Sequence, residues 1–405
     1  MDEWTDSLFW KQELEDRRGF SDFALTERRL NDVINAAPMA EFSENQLAEL
    51  GRTVTGIRSN PEKLFLWSVF YDVIYSEKMQ QALENDPHLE RFGMEDAPAF
   101  YLTLVIAGIR HGEKYFKAEK WPLSIYYDGL TDIKVWTDDY ETNYGAFGIH
   151  WAMAVPWLVV HHTGAVLQFG RLQCNSRAAF FDDVLVFRSS DGKRVIAVLD
   201  AEYDFNSAGL IAAGNDPVAF RSRRLMEAYG KVTAHPVFPT GVVGAEPIVI
   251  DLNTWNIVLV AGDPVINLHI PATGPLKQEL CADSVLRMRD FFERCIPEFK
   301  PKAFVCHSWL LDPQLHRFLR RDSNLLAFQR AGYMLPSTEP SDAVRRVFGA
   351  KAVENGIDSV PHVSGLQKRL AAYARNGGAF RSGKLFLLNE ELPWGSHPYF
   401  TGEKT

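Results

Sequence analysis

A chain of 405 residues has room for two or three domains. Hydrophobic residues make up 46% of it and charged residues 23%, which excludes a disordered or fibrous protein. The formal charge of −9 is uneven: the first 165 residues carry a net −12 and the remainder a net +3, so the C-terminal part is the better host for an anionic ligand. No basic stripe points to nucleic acid, and no apolar run reaches the roughly 18 residues of a membrane span. The start, MDEWTDSLFWKQELEDRR, is acidic and lacks the apolar core of a secretory signal. Cys174, Cys281, Cys295 and Cys306 are scattered, with no CxxC pattern, as in a reduced, cytoplasmic protein.

In chain order, residues 1–42 read as a charged, helical packing arm or partly ordered extension with few buried positions. At Ser43 the pattern becomes clearly helical, because Ser43 followed by Gln46 fits a capping box. The next helix carries Leu64, Trp67, Phe70, Tyr71 and Ile74 at helical spacing. AFYLTLVIAGIRHGEKYFK is a third helix, 121–150 a loop or helix pair rich in acid and aromatic residues, and IHWAMAVPWLVVHH a buried helix or strand interrupted at Pro156. After about residue 164 the period changes from helix to strand. DVLVFRSSDGKRVIAVLD predicts a hairpin around Asp191-Gly192, and DPVAFRSRRLMEAYG predicts a helix within a Gly- and Pro-rich stretch. Past Pro336 come two helices, SDAVRRVFGAK and VSGLQKRLAAYAR, and a last strand, GKLFLLN. A helical half, then antiparallel strands, then a βαβα unit argues for α + (α+β) architecture.

The chain is organised around 257–333, read as strand, turn, helix, strand, helix. The first strand, 264–270, places Val265, Asn267 and His269 on one face and Ile266, Leu268 and Ile270 on the other. Gly274 and the prolines at 271 and 275 stop it. The helix that follows is expected to bury Leu276, Leu280, Met288, Phe292 and Cys295. A second strand covers 303–309, and such a crossover makes the two strands parallel. The turn then presents backbone N–H groups at a helix N-terminus, a plausible anion site.

Within that stretch His269 lies near the carboxyl end of the central strand, where ligands of such sheets collect. It reads either as a general base or as a histidine hydrogen-bonded within the sheet. Cys306 reads either as a nucleophile paired with His269 across adjacent strands or as a small buried hydrophobe. Asp312 before Pro313 is a natural helix cap, as is Asp322 or Ser323 for the helix after it. Asp128, Asp132, Asp138, Asp139 and Glu141 either attract an amine or form a solvated acidic face. His161-His162 has no carboxylate or cysteine at ligand spacing, so no metal is expected. Arg171, Arg221, Arg223 and Arg224 could meet a nucleotide phosphate, with ordinary surface charge as the default.

The runs GRLQ (170–173), GDPVINLHIP (262–271), CHSWLLDPQL (306–315) and SNLLAFQ (323–329) resemble a bacterial acyltransferase-like family. Its members pair an all-helical N-terminal domain with a GNAT-like C-terminal domain. The resemblance implies a helical domain at 1–164, a GNAT-like mixed β-sheet domain at 165–335 and a C-terminal extension packed on it at 336–405. It implies acetyl-CoA or another acyl-CoA as co-substrate, with the donor's pyrophosphate on the turn 270–276 and contacts at Ile270, Ala272, Thr273, Gly274 and Leu276. Asn324 would bond the amide-rich pantetheine arm or cap its helix, and Tyr333 would protonate the departing thiolate. The turn departs from the general Gln/Arg-x-x-Gly-x-Gly/Ala pattern. Gly274 is its one glycine, and Pro271 and Pro275 have no N–H to donate.

The function implied is acyl transfer from acyl-CoA to an amine or hydroxyl of a small-molecule or peptide acceptor, with His269 as base. The alternatives are a non-catalytic acyl-CoA or nucleotide-binding module and a Cys–His hydrolase built on Cys306.

Overall fold

A computed structural model describes residues 5–19, 22–395 and 399. The chain divides into two compact units, Met1–Gln168 and Phe169–Thr405.

The first unit is helical: α1 (Leu8–Asp16), α2 (Phe23–Ala36), α3 (Glu44–Ser59), α4 (Pro61–Ile74), α5 (Met79–Glu84), α6 (Ala97–Ala107), α7 (Ile109–Ala118), α8 (Leu123–Gly129), α9 (Thr131–Tyr144) and α10 (Trp151–His161). Local chemistry sets several of its boundaries. Ser43 accepts from the Gln46 N–H, and the Gln46 side chain accepts from the Ser43 N–H in return. That exchange satisfies two orphan donors and fixes the start of α3. Asn60 caps α4, with Pro61 at its first position. Every residue of α6 is buried, so this helix is the axis of the unit. Residues 1–4 and 20–21 of the expected packing arm at 1–42 lie outside the described residues, and the rest contributes to this core. Trp10, Leu14, Leu30 and Val33 are buried, and Trp10 stacks on Phe70 with ring centroids 4.0 Å apart. A charged helix hides few but large apolar residues, and burying one stabilises by about 1.5–3 kcal/mol. Pro156 lies inside α10 without ending it.

The second unit holds β1 (Val166–Phe169), which begins just before the boundary, β2 (Leu172–Ala179), β3 (Val184–Ser189), β4 (Val195–Leu199), β5 (Asp204–Phe205), β6 (Phe220–Arg221), β7 (Met226–Ala228), β8 (Lys231–Val237), β9 (Ile248–Asp251), β10 (Trp255–Leu259) and β11 (Pro264–His269). After these come α11 (Gln278–Cys295), β12 (Ala303–Ser308), α12 (Asn324–Arg330), β13 (Tyr333–Pro336), α13 (Ala343–Phe348), α14 (Ala350–Asn355), α15 (Gly365–Arg375) and β14 (Gly383–Leu388). The main sheet has the order β1-β2-β11-β12-β14-β13, and a second sheet runs β10-β3-β4-β8-β7 with β9 paired to β8. Their facing sides share one core, with Val186, Ala197 and Leu199 from one sheet and Val265, Ala303, Val305, Leu335 and Phe386 from the other. The Asp191-Gly192 hairpin forms as expected, with β3 antiparallel to β4.

Three expectations change. The helix expected at 216–230 is strand and loop. Tyr229 (φ 53°) and Gly230 (φ 71°) both take positive φ, the two-residue turn that joins twisted antiparallel strands, and β7 pairs with β8 across it. Nearby, Ser222 Oγ donates to the Ala201 carbonyl and accepts from the Tyr203 N–H, offering the backbone an alternative to helix. Secondly, the segment after Pro336 supplies β14, which lies between β12 and β13, so it completes the sheet rather than being added to it. Thirdly, the buried stripe of α11 is Cys281, Ser284, Val285, Met288, Phe291 and Phe292, and Leu280 is 44% exposed. Leu276 is buried ahead of the helix and Cys295 only half-buried.

Candidate active site

Why β11 ends where it does decides the site. Val265, Ile266 and Leu268 favour a buried strand, and Pro271, without an N–H, cannot continue a ladder. β11 and β12 are parallel, with Val265 opposite Ala303 and the last pair Leu268 opposite Cys306. Beyond that pair the two strands follow different neighbours. His269 stays with Gln173 of β2, whereas His307 and Ser308 stay with Lys384 and Gly383 of β14. The ladder between the two parallel strands therefore ends at their carboxyl ends, ahead of the turn leading into α11.

Register sorts the candidate residues by face. Leu268 and Cys306 are partners and share one face; Asn267 and His269 point to the other. His269 and Cys306 are therefore on opposite sides of the sheet, and the proposed Cys–His pair does not form. Cys306 is 1% exposed, and burial pushes its thiol up to about 12. A thiol held neutral in an apolar layer is no nucleophile, so Cys306 serves as a small buried hydrophobe. His269 is half-buried, with Nε2 in contact with Asn175 Oδ1 and 3.4 Å from Asn267 Nδ2. An oxygen at Asn175 can only accept, so this contact places a proton on His269 Nε2.

Tyr333 opens β13 and is 1% exposed. Its hydroxyl donates to the Val237 carbonyl and accepts from the Ala197 N–H at 3.2 Å, and its ring stacks on Phe386 at 5.0 Å. Burial raises its pKa above the ordinary phenol value. With its proton committed and no solvent access, Tyr333 clamps the two sheets together and is not placed to protonate a thiolate.

In the turn, Ala272, Thr273 and Gly274 are exposed, and Gly274 has φ 142°, a backbone conformation that side chains other than glycine resist. α11 begins at Gln278 behind Lys277, and no side chain caps it, so its first amides face outward. Ser323 caps α12 by accepting from the Leu326 N–H, which leaves the exposed Asn324 side chain without the capping role. Asp312 accepts from the Gln314 N–H as a cap should, but the helix it starts, Pro313–Arg317, is 3-10.

The carboxylates of 128–141 do not form an open acidic face. Asp132 is buried, accepts from Trp157 Nε1 at 2.6 Å and lies 3.5 Å from His161 Nε2. Asp138 and Glu141 both accept from Gln46 Nε2. His162 Nε2 donates to the Val105 carbonyl, and Nδ1 lies 2.7 Å from the Tyr126 hydroxyl. Burial drives the His162 pKa down to about 3, so the ring is neutral at physiological pH. The helical unit also has a cavity of about 270 Å³, lined by charged residues such as Arg28, Arg29, Arg110 and Lys114 over Tyr71 and Tyr75. Among the described residues no cluster of three His, Cys, Asp or Glu side chains could hold a metal, and no helix is long and apolar enough to cross a membrane.

Comparison with protein-family models places a GNAT-like C-terminal domain at residues 166–387 and an N-acyltransferase N-terminal domain at residues 29–164. The chain belongs to this GNAT-like family. The C-terminal match extends through β14, in keeping with that strand's interior place in the sheet. The same fold occurs in the crystal structure of an acyltransferase in complex with decanoyl-CoA and teicoplanin. That structure is 19% identical, with a TM-score of 0.57 over 87% of this chain and 85% of that one. An acyltransferase in complex with decanoyl-CoA is 20% identical, with a TM-score of 0.57 over 87% and 86%. A mutant acyltransferase in complex with octanoyl-CoA is 19% identical, with a TM-score of 0.57 over 87% and 85%. No curated protein matches.

Two residues beside the candidate site were not placed there by the sequence. Asn175, which holds His269, sits in a β-rich run, and only the register of β2 on β11 brings it there. Arg171, a possible phosphate contact with surface charge as the default reading, is 9% exposed, with its guanidinium on the turn. Its position directly after Gly170 (φ 58°), in a tight strand-to-strand turn, was the available signal.

Proposed function

We propose that this protein transfers an acyl group from an acyl-CoA to an amine or hydroxyl of a small-molecule or peptide acceptor. The observation that carries this reading is the parting of β11 and β12 after Leu268 and Cys306, at the foot of an uncapped helix, in a chain of the GNAT-like family. The donor's thioester lies where the strand pairing ends, its diphosphate at the turn against the amides of Ala272, Thr273, Gly274 and Leu276 with a contact at Ile270, and its pantetheine arm beside Asn324. His269, oriented by Asn175, takes the acceptor's proton as its nitrogen or oxygen attacks the thioester carbonyl. A backbone N–H of the parted strands stabilises the oxyanion. Collapse forms the new C–N or C–O bond, breaks the C–S bond and releases CoA, with no covalent enzyme intermediate. A medium-length acyl chain is the leading donor, because the compared acyltransferases hold octanoyl- and decanoyl-CoA.

Release of free CoA, measured with acetyl-, octanoyl- and decanoyl-CoA against amines, alcohols, peptides and teicoplanin, tests the reading. Acceptor-dependent CoA release supports it. Tight acyl-CoA binding with no turnover on any acceptor replaces it with a non-catalytic binding module, the role favoured by Pro271 and Pro275. Absence of any acyl-CoA binding removes both.

A further inference from the structure

A buried cation needs a counter-charge, because moving an unpaired ion out of water costs several kcal/mol. Among the described residues, Arg171 has none. It is 9% exposed, and no carboxylate pairs with it among the described residues. Nε donates to the Pro275 carbonyl at 3.2 Å and Nη2 to the Gly274 carbonyl at 2.7 Å, while Nη1 has no partner. The nearest titratable neighbour, Cys281, is kept neutral because burial pushes its thiol up to about 11. Burial also lowers the basicity of Arg171 itself.

The residue is fixed from behind as well. Its own N–H donates to Ser284 Oγ at 3.0 Å, and Ser284 is on α11. Gly170 takes φ 58°, and a side chain there would come within 3.3 Å of Arg287. The guanidinium is thus delivered to the turn by a turn of defined shape. Because the fork binds two successive carbonyls, it also sets the planes of two peptides. In the trans peptide joining Pro275 to Leu276, a carbonyl directed at Arg171 sends the Leu276 N–H the other way.

We infer that Arg171 is the positioning residue of the donor's diphosphate site: it holds the turn carbonyls inward, directs the remaining amides outward, and supplies from the β1–β2 turn the positive charge that the 270–276 turn's own sequence lacks. The inference rests on the acyl-CoA reading above and names what completes its anion site. The ligand chemistry is that of a diphosphate linked to a long uncharged arm. Two contributions combine here, since a helix N-terminus favours an anion through its amides and dipole, and a buried guanidinium acts through a low dielectric. Arginine suits the place because its planar fork spans two carbonyls, which a lysine ammonium cannot do in the same way.

The test is calorimetry on the full chain with decanoyl-CoA and with decanoyl-pantetheine, which has the arm and thioester but no phosphate. In Arg171→Met, the Kd for decanoyl-CoA is expected to rise at least about tenfold while that for decanoyl-pantetheine changes less than about twofold. Arg171→Lys is expected to fall between wild type and Arg171→Met for decanoyl-CoA and again to spare decanoyl-pantetheine. This lysine variant decides the matter if the methionine variant fails to fold. Equal affinity of wild type and variant for decanoyl-CoA overturns the inference, as does an equal loss for both ligands, which marks a merely structural arginine. If wild type binds neither ligand, the acyl-CoA reading fails first and the inference with it.

Discussion

Two histidines in two regions show what separates a structural imidazole from a usable one. His162, in the helical unit, is fully buried, with one ring nitrogen on the Val105 carbonyl and the other against the Tyr126 hydroxyl. His269, in the sheet unit, is half-buried and lies where the ladder between β11 and β12 has just ended. The first is locked neutral by its surroundings, with its pKa held near 3 by burial. The second is held by side chains of β2 and its own strand. Full burial with both nitrogens on buried partners makes His162 a packing element, whereas the proposed role of His269 rests on its half-buried place where regular pairing stops.

The comparison breaks first at His269. His269→Ala is expected to lower kcat by about 10²- to 10⁴-fold, the usual worth of a general base, with an unchanged urea midpoint. A comparable loss of stability would instead make it a packing residue. His162→Ala should do the reverse. It removes two buried hydrogen bonds and leaves a cavity, so urea unfolding should show a loss of about 2–4 kcal/mol, with kcat of the folded protein preserved.

The pH dependence of stability sharpens the contrast. The unfolded chain protonates this histidine near the ordinary value of about 6.5, while folded His162 resists until about 3. The unfolded state therefore binds the proton first, so stability is lost as pH falls below about 6.5. Denaturation at pH 5 should reveal a deficit of about 2 kcal/mol relative to pH 7.5, absent from His162→Leu.

Tyr333 extends the lesson to the sheet unit. Tyr333→Phe removes the hydroxyl's bonds to the Val237 carbonyl and the Ala197 N–H. A stability loss of about 1–2 kcal/mol is expected, with kcat within about twofold of wild type. Cys306→Ala should have the smallest effect, about 1 kcal/mol in stability and no change in turnover, because its thiol stays neutral. Loss of turnover in Cys306→Ala would revive a thiol mechanism.

Much of the site's frame was legible because it is local. The strand at 264, the turn with its prolines and the helix after it follow from β-branched runs, breakers and a period of 3.6, and the capping box at Ser43 follows from two residues three apart. The faces and partners were not legible. That Cys306 opposes Leu268 rather than His269 depends on strand register, which no local pattern in the two segments fixes. The interior place of β14 depends on a strand returning from more than 70 residues after β12. The helix expected at 216–230 was lost to a Tyr229-Gly230 turn, whose positive φ at a tyrosine is stabilised only by the β7–β8 pairing it closes. For Arg171 the sequence left a phosphate contact and ordinary surface charge both open, and only the fold shows its guanidinium bonded to the turn carbonyls.

The most direct measurement of the central claim is amide hydrogen exchange on the full chain with and without saturating decanoyl-CoA. The amides of Ala272, Thr273, Gly274 and Leu276 and the first turn of α11 should slow at least about tenfold, together with the ends of β11 and β12 at His269 and His307. Saturable binding that leaves this segment exchanging as in the free protein would contradict the placement of the donor between the parted strands.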